Sequence, residues 1–168
     1  MKLRELKEKD VDGMLEWMHS SKTKEIFAKD FNSLTREQVL NFIKNSSKND
    51  NELHYACVDD NDNYLGTISL KNIDNNNKNA ELAISFREEA QGTGAASFAI
   101  NELLKRAFND LNLKKVYLCG LETNKRAIAF YNKIGFKIEK VSKNYITKND
   151  RCINLVWYQI LADDFLNI

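Results

Sequence analysis

The segment Gln91-Gly92-Thr93-Gly94-Ala95-Ala96 joins a predicted strand to a predicted helix, and the interpretation of the whole sequence starts there. Before it, apolar and polar residues alternate from Ala80 to Phe86, which predicts a strand. After it, apolar residues recur every three or four positions from Ala95 to Leu111, which predicts a long helix. A strand that runs through glycines into a helix directs several backbone N–H groups at one point. Such a point binds anions, and pyrophosphate is a natural ligand for it.

The two glycines of this segment are compatible with two interpretations. A glycine pair between a strand and a helix is often only a tight turn. Alternatively, Gly92 and Gly94 remove side chains where a phosphate approaches closely, and Thr93 adds a hydroxyl donor. The chain holds only six glycines, so two of them within three positions favour a specific role. The spacing fits neither the phosphate loop of nucleoside triphosphatases nor the dinucleotide fingerprint.

Strand and helix patterns continue along the rest of the chain. Thr35 and Gln38 form a capping box that predicts the start of a helix. The element order is β-α-α-β-β-β-α-β-α-β-β, which predicts a mixed α/β (α+β) fold with about seven mostly antiparallel strands and four helices in one domain, residues 1–168. The other predicted elements are strands at 2–6, 53–58, 64–73, 116–121, 136–141 and 153–160, and helices that begin after Asp10 and at Asn124.

Composition narrows the class of protein. The net charge is +1, so the chain lacks the broad basic surface that nucleic acids require, and it has neither a secretory signal nor a membrane-spanning run. We therefore expect a cytoplasmic protein. The three cysteines, Cys57, Cys119 and Cys152, lie in apolar, strand-like segments and are expected to be buried free thiols. No cysteine, histidine or carboxylate cluster has metal-ligand spacing, so no metal is expected. A homodimer is compatible with the sequence.

Two motifs resemble those of one enzyme family. Gln91-x-x-Gly94-x-Ala96 resembles the Q/R-x-x-G-x-G/A acetyl-CoA pyrophosphate loop of the GNAT superfamily of N-acetyltransferases. The segment from Asn124 to Phe136 is similar to the second GNAT motif, N-x-x-A-x-x-x-Y-x-x-x-G-F, and matches every fixed position. The N-terminal third is similar mainly to the branch that contains ribosomal-protein N-terminal and nucleotide-amino-sugar acetyltransferases.

The resemblance implies a site for acetyl-CoA as co-substrate, at a point where the fourth and fifth strands splay apart. Backbone groups of Ile84 and Phe86 would pair with the pantetheine arm, and Asn124 would hydrogen-bond that arm or a water. Arg87-Glu88-Glu89 departs from the family pattern and brings two carboxylates near the phosphates. The implied pyrophosphate-binding residues are Gln91, Gly92, Thr93, Gly94, Ala95 and Ala96.

The implied reaction is direct attack of a primary amine on the acetyl thioester in a ternary complex. Tyr131 is the expected acid, because a phenol is protonated at neutral pH; its alternative role is packing. Glu81 is a candidate base, with an ordinary strand glutamate as the alternative. Cys119 lacks a histidine partner, which disfavours a covalent route. The acceptor is expected to be an amino sugar nucleotide, a small amine or a peptide N-terminus, and the alternative function is a non-catalytic CoA-binding module.

Overall fold

The computed structural model describes residues 1–166, in which seven strands form one mixed sheet. The strands follow the spatial order β1-β2-β3-β4-β5-β7-β6, and every neighbouring pair is antiparallel except the parallel pair β4–β5. This confirms the predicted mixed, mostly antiparallel sheet. The bounds are β1 (Lys2–Glu5), β2 (Leu53–Val58), β3 (Tyr64–Asp74), β4 (Asn79–Phe86), β5 (Lys115–Leu121), β6 (Lys137–Lys148) and β7 (Arg151–Leu161).

Six helices flank the sheet in the described part of the chain, where the sequence predicts four. They are α1 (Val11–Met18), α2 (Ser21–Ile26), α3 (Arg36–Asn45), α4 (Ala95–Lys105), α5 (Lys125–Ile134) and α6 (Ala162–Leu166). A π-helical turn, Arg106–Asp110, prolongs α4. The two additional helices, α2 and α6, are short, and α2 buries only Thr23, so it has no apolar periodicity from which to predict it. The predicted cap is present in α3, where Gln38 N donates to Thr35 Oγ1 and Thr35 N donates to Gln38 Oε1.

The closing hairpin is longer than predicted. The predicted sixth strand ends at Val141, whereas β6 continues to Lys148 and the chain then turns through Asn149 and Asp150, both with positive φ. Most of β6 is exposed because it is the edge strand of the sheet. An edge strand with no buried face shows no alternation of apolar and polar residues, and this explains the short prediction.

Two apolar cores pack on opposite faces of the sheet. Consecutive strand residues point to opposite faces, and in β2 Cys57 joins one core while Ala56 and Val58 join the other. The first core lies under α4 and contains Ile100 and Leu104. The second core lies under α1 and α3 and contains Met14, Trp17, Val39 and Ile43.

The three cysteines differ in exposure. All are free thiols, as predicted, and burial raises the pKa of Cys57 to about 11. Cys119 is only partly buried, and Cys152 is exposed near the tip of the β6–β7 hairpin, so the prediction of three buried thiols holds fully only for Cys57. The strand of Cys152 is apolar, but this end of the strand extends beyond the core. Residues 1–166 contain no helix long and apolar enough to cross a membrane.

A buried ion pair fastens the N-terminal strand to the rest of the fold. Arg4 forms a bidentate pair with Asp10 at 2.7 and 2.8 Å, and Asp10 is only 1% exposed. The Arg4 guanidinium also donates to Asp62, in the β2–β3 turn, at 2.6 Å. Asp10 precedes α1 as predicted, but its carboxylate accepts from Arg4 and from the Lys7 N–H and does not cap the helix.

We predict that Asp10→Ala lowers the free energy of unfolding by about 3 kcal/mol, because it leaves a partly buried guanidinium without its main partner. Urea denaturation measures this change. Asp12→Ala is the control, since Asp12 pairs with Arg36 at the exposed surface and should contribute little. Equal loss of stability in the two variants would contradict the assignment.

Candidate functional site

A cavity of about 420 Å³ opens between β4 and β5. Six parts of the chain line it: the end of α1, helix α2, the end of β4 with the loop that follows it, the start of α4, the second half of β5, and one face of α5. The residues named from the two sequence motifs therefore lie around one space, although about thirty positions separate the motifs. Of the predicted residues, Ile84, Phe86, Gln91, Gly92, Gly94, Ala96, Asn124 and Tyr131 line this cavity.

The opening exists because β4 and β5 pair over only three residues. The parallel register runs from Asn79 opposite Lys115 to Glu81 opposite Tyr117 and then stops. Beyond Glu81, β4 remains paired with β3 as far as Phe86, while its other edge has no strand beside it. Free backbone N–H and C=O groups along this edge can accept an extended ligand as an additional strand.

The loop after β4 has the backbone geometry of an anion site. Gly92 and Gly94 adopt φ of 81° and 87°, a left-handed conformation that favours glycine. A Cβ built at either position would meet no atom within 4 Å, so the space beside the loop is open. The backbone conformation, and not crowding by other residues, is therefore the reason why glycine is favoured at these two positions. Gly94 is the N-cap of α4 and offers no side-chain cap, and the N–H groups of Ala96 and Ser97 find no partner among the described residues.

The hydroxyl of Thr93 acts within the loop itself. It donates to the carbonyl of Ala90 at 2.7 Å and accepts a long hydrogen bond from Ala95 N at 3.4 Å. In this structure the hydroxyl proton is directed at the Ala90 carbonyl, and donation from Thr93 to a ligand stays a prediction. The two hydrogen bonds of Thr93 stabilise the turn that presents the neighbouring N–H groups.

Positive side chains surround the loop. Arg126 donates to the side-chain oxygen of Gln91, and Lys133, two turns further along α5, also lines the cavity. Neither residue was predicted from the sequence. The spacing of Arg126, Phe130 and Lys133 places them on one helical face, and this spacing is the signal that could have found them.

The two carboxylates of the loop are neutralised by ion pairs. Glu88 pairs with Lys22 of α2 at 2.8 Å, and Glu89 pairs with Arg87 at 2.6 Å. Arg87 also holds Glu16 of α1 at 2.6 Å. These pairs offset the negative charge that the departure at Arg87-Glu88-Glu89 brings to the site.

Asn124 occupies the junction between β5 and α5. Its Oδ1 accepts from Ala127 N at 3.2 Å and so caps α5, as predicted. Its Nδ2 makes no hydrogen bond to another residue in the described part of the chain and remains available to a ligand.

Tyr131 is 9% exposed and reaches the cavity from α5. Its ring packs against Tyr158 and Phe136, with centroid distances of 5.6 and 6.0 Å. Its hydroxyl has no hydrogen-bond partner within residues 1–166. Burial, and secondarily the neighbouring Cys119 and Tyr158, raises the pKa of Tyr131 above its ordinary value, so the phenol stays neutral at physiological pH. The residue thus packs and also carries a free proton donor.

Glu81 and Cys119 lie at the closed end of the opening. Cys119 lines the cavity, and burial raises its pKa, with a further contribution from Glu81. Glu81 is in the last β4 position paired with β5; it accepts from Asn72 at 2.9 Å and pairs with Lys71 at 3.4 Å. Its side chain does not line the cavity that Tyr131 enters. Within residues 1–166 no group of three histidine, cysteine or carboxylate side chains could hold a metal ion.

The wall opposite the β4 edge comes from the N-terminal third of the chain. Thr23, Ile26 and Phe27 of α2 and its C-terminal end line the cavity together with Trp17 of α1. Phe31 packs behind them, 5.2 Å from Trp17 and 5.3 Å from Phe27 between ring centroids. Two aromatic residues of this third, Trp17 and Phe27, therefore line the cavity.

Comparison with known proteins places this arrangement in a family. The family model described as "Acetyltransferase (GNAT) domain" matches residues 1–137. "Putative ribosomal N-acetyltransferase YdaF" of Bacillus subtilis is 32% identical over 60% of this chain, and the match spans 55% of that relative's length. The spermidine N(1)-acetyltransferase of Vibrio cholerae is 31% identical over 76% of this chain and 75% of its own.

Solved structures agree with the sequence relatives. The Vibrio cholerae spermidine N-acetyltransferase in complex with CoA and spermine has a TM-score of 0.88 at 24% identity, covering 99% of this chain and 98% of its own. A mutant form of the spermidine/spermine N-acetyltransferase SpeG from the same organism has a TM-score of 0.81 at 26% identity, with 99% and 96% of the two chains covered. The family model and the relative that matches three quarters of both chains show that this chain belongs to the GNAT acetyltransferase family.

Proposed function

We propose that this protein transfers an acetyl group from acetyl-CoA to a primary amine by direct attack in a ternary complex. One observation carries the proposal: Tyr131, whose hydroxyl has no hydrogen-bond partner among residues 1–166, lines the same cavity as the Gln91–Ala96 loop and the free edge of β4. A proton donor, an anion site and an unpaired strand edge are the three parts that the reaction needs.

The donor side fits acetyl-CoA. When bound, acetyl-CoA supplies an acetyl thioester that a neutral primary amine can attack. Backbone groups of Ile84 and Phe86 pair with the extended pantetheine arm, and Asn124 Nδ2 donates to it or to a water. The pyrophosphate is held by the loop and the first N–H groups of α4, with Arg126 as the nearest unneutralised cation.

Tyr131 holds the proton that the leaving thiolate takes up. Its raised pKa keeps the phenol neutral, and a neutral phenol can donate to a developing thiolate. A covalent route through Cys119 is disfavoured, because burial raises the pKa of that thiol and neither His19 nor His54 hydrogen-bonds to it.

We predict that Tyr131→Phe lowers kcat about a hundredfold or more, since it removes the acid but keeps the ring packing. CoA thiol release measures turnover, and calorimetry should give an unchanged affinity for acetyl-CoA. Tyr117→Phe is the control: Tyr117 lies on β5 outside the cavity. Undiminished turnover in Tyr131→Phe would contradict the role of Tyr131 as the acid. If the wild type binds acetyl-CoA but acetylates none of the amines tested, a non-catalytic CoA-binding module is favoured.

The raised pKa of Tyr131 also sets a pH expectation. The acid is present at all pH values below its folded pKa and is lost only as pH rises through that value, above the ordinary pKa of about 10. The kcat profile should therefore show no descending limb between pH 7 and about 9.5. If kcat of the wild type already decreases with rising pH before pH 9, and this decrease is absent in Tyr131→Phe, the assignment of Tyr131 as an acid with a raised pKa is wrong.

Glu81 is our proposed base, acting through a water because its carboxylate does not line the cavity. Glu81 lies opposite Tyr117 in the sheet, two residues before Cys119, which does line the cavity. We predict that Glu81→Gln lowers kcat/KM about tenfold to a hundredfold near pH 7, with the loss shrinking as pH approaches the acceptor's pKa. Glu139→Gln, at an exposed ion pair with Lys115, is the control. An unchanged rate would assign deprotonation to bulk water.

We propose an acceptor amine with a single positive charge, such as a small monoamine or a peptide N-terminus. The acceptor wall is apolar and aromatic, and Glu88 is the only carboxylate that lines the cavity within residues 1–166. That carboxylate is already paired with Lys22. A polyamine would desolvate several ammonium groups without matching anions, which costs free energy. Amino sugar nucleotides have no support in the comparisons. The cytoplasmic location stays a prediction.

We predict that kcat/KM for phenylethylamine or an alanine-initiated peptide exceeds that for spermidine by about tenfold or more. Thiol-release assays with all three amines at equal concentration test this. Lys22→Gln should raise the relative rate with spermidine, because it frees the Glu88 carboxylate. A wild-type preference for spermidine would refute the single-charge acceptor while leaving the acetyl transfer itself intact.

A further inference from the structure

The tip of the C-terminal hairpin contacts the acceptor wall through one side chain. The Lys148 ammonium, at the end of β6, donates to the carbonyls of Lys24 and Phe27 at 2.6 Å each and to that of Glu25 at 3.2 Å. All three protons of the ammonium are thereby used. More than 120 positions of sequence separate the partners.

These contacts stabilise a helix end that is otherwise weak. Helix α2 has six residues, fewer than an isolated helix needs to persist in water. The carbonyls in the last turn of a helix have no partner inside it, and they form the negative end of the helix dipole. An ammonium placed on these carbonyls satisfies them and complements their charge. Burial lowers the pKa of Lys148, as expected for a cation withdrawn from water.

The same short helix forms the acceptor side of the cavity. Ile26 and Phe27 line the cavity directly, next to the carbonyls that Lys148 holds. At the other end of α2, Ser20 caps the helix by accepting from Thr23 N at 3.2 Å, and Lys22 pairs with Glu88 of the donor loop. Helix α2 therefore connects the donor loop to the C-terminal hairpin. Lys22 forms the contact near its N-terminal end, and Lys148 forms the contact at its C-terminal end.

We propose that Lys148 is a positioning residue for the acceptor: it holds α2 so that Ile26 and Phe27 keep the shape of the amine-binding wall. The proposal rests on the acetyl transfer proposed above. Lys148 does not line the cavity, and it acts through the carbonyls at the C-terminal end of α2. Loss of the Lys148 contacts leaves the donor side in place, because the β4 edge, the Gln91–Ala96 loop and α5 have no contact with Lys148, and the Lys22–Glu88 pair lies at the opposite end of α2.

The test compares Lys148→Met with Lys148→Arg in the full chain. The methionine keeps the apolar stem of the lysine and loses all three hydrogen-bond donors. It should raise KM for the amine about tenfold, while kcat and the KM for acetyl-CoA stay within about twofold of the wild-type values. The arginine keeps a charge with several donors and should restore most of the loss. Lys143→Met is the matched control, since Lys143 lies on the same strand, is exposed, and forms no hydrogen bond or ion pair with the described residues.

Hydrogen exchange followed by mass spectrometry gives a readout that is independent of turnover. Amides of residues 20–28 should exchange about tenfold or more faster in Lys148→Met than in the wild type, with unchanged exchange in β3 and β4. If exchange is faster in Lys148→Met but the wild type shows no turnover, the proposed acetyl transfer is refuted, whereas the structural role of Lys148 in holding α2 is supported. An unchanged amine KM, equal rises in both KM values, or no rescue by arginine would overturn the positioning role. If Lys148→Met does not fold, Lys148→Gln is subject to the same criteria.

Discussion

The site depends on the early end of the parallel pairing between β4 and β5. Three paired residues hold the two strands together, and then β4 follows β3 while β5 follows β7. A sheet interior normally satisfies its backbone hydrogen bonds on both sides, and an unpaired stretch is costly unless water or a ligand completes it. The divergence therefore turns the middle of the sheet into a place for an extended molecule.

Other parts of the site take their positions from this divergence. Helix α4 begins where β4 has left its neighbour, so its free N–H groups point into the opening. Helix α5 follows β5 and brings Tyr131 and Arg126 to the other side. Charge is arranged to match: the carboxylates of the loop are paired with Lys22 and Arg87, while Arg126 meets only the neutral Gln91. The net result is a local cationic site in a chain of almost zero net charge.

The acceptor side is built differently from the donor side. The donor side uses backbone groups of the sheet and two long helices, which the apolar cores hold in place. The acceptor side uses one short helix, α2, held by side chains from distant parts of the chain. An element with little burial of its own can change its sequence without loss of the core. A change in the sequence of α2 would therefore alter the proposed amine-binding wall without removing residues of the apolar core under α4.

Local patterns were enough to identify the strands of the sheet, the capping box at Thr35, the glycine-marked loop and the helix from Asn124 to Gly135, because each depends on neighbours within a few residues. The second motif also identified Asn124 and Tyr131 as candidate residues of one site. Three features needed the tertiary structure: the length of β6, the existence of α2 and the cations around the loop. β6 has no buried face, and α2 is a polar helix of six residues without apolar periodicity. The role of Arg126 becomes visible only in the folded chain, where α5 brings it to Gln91. The sequence by itself determined the sheet and the acetyl donor, since both are encoded in short-range patterns. Only the tertiary structure decided the acceptor wall, because its contacts join residues more than a hundred positions apart.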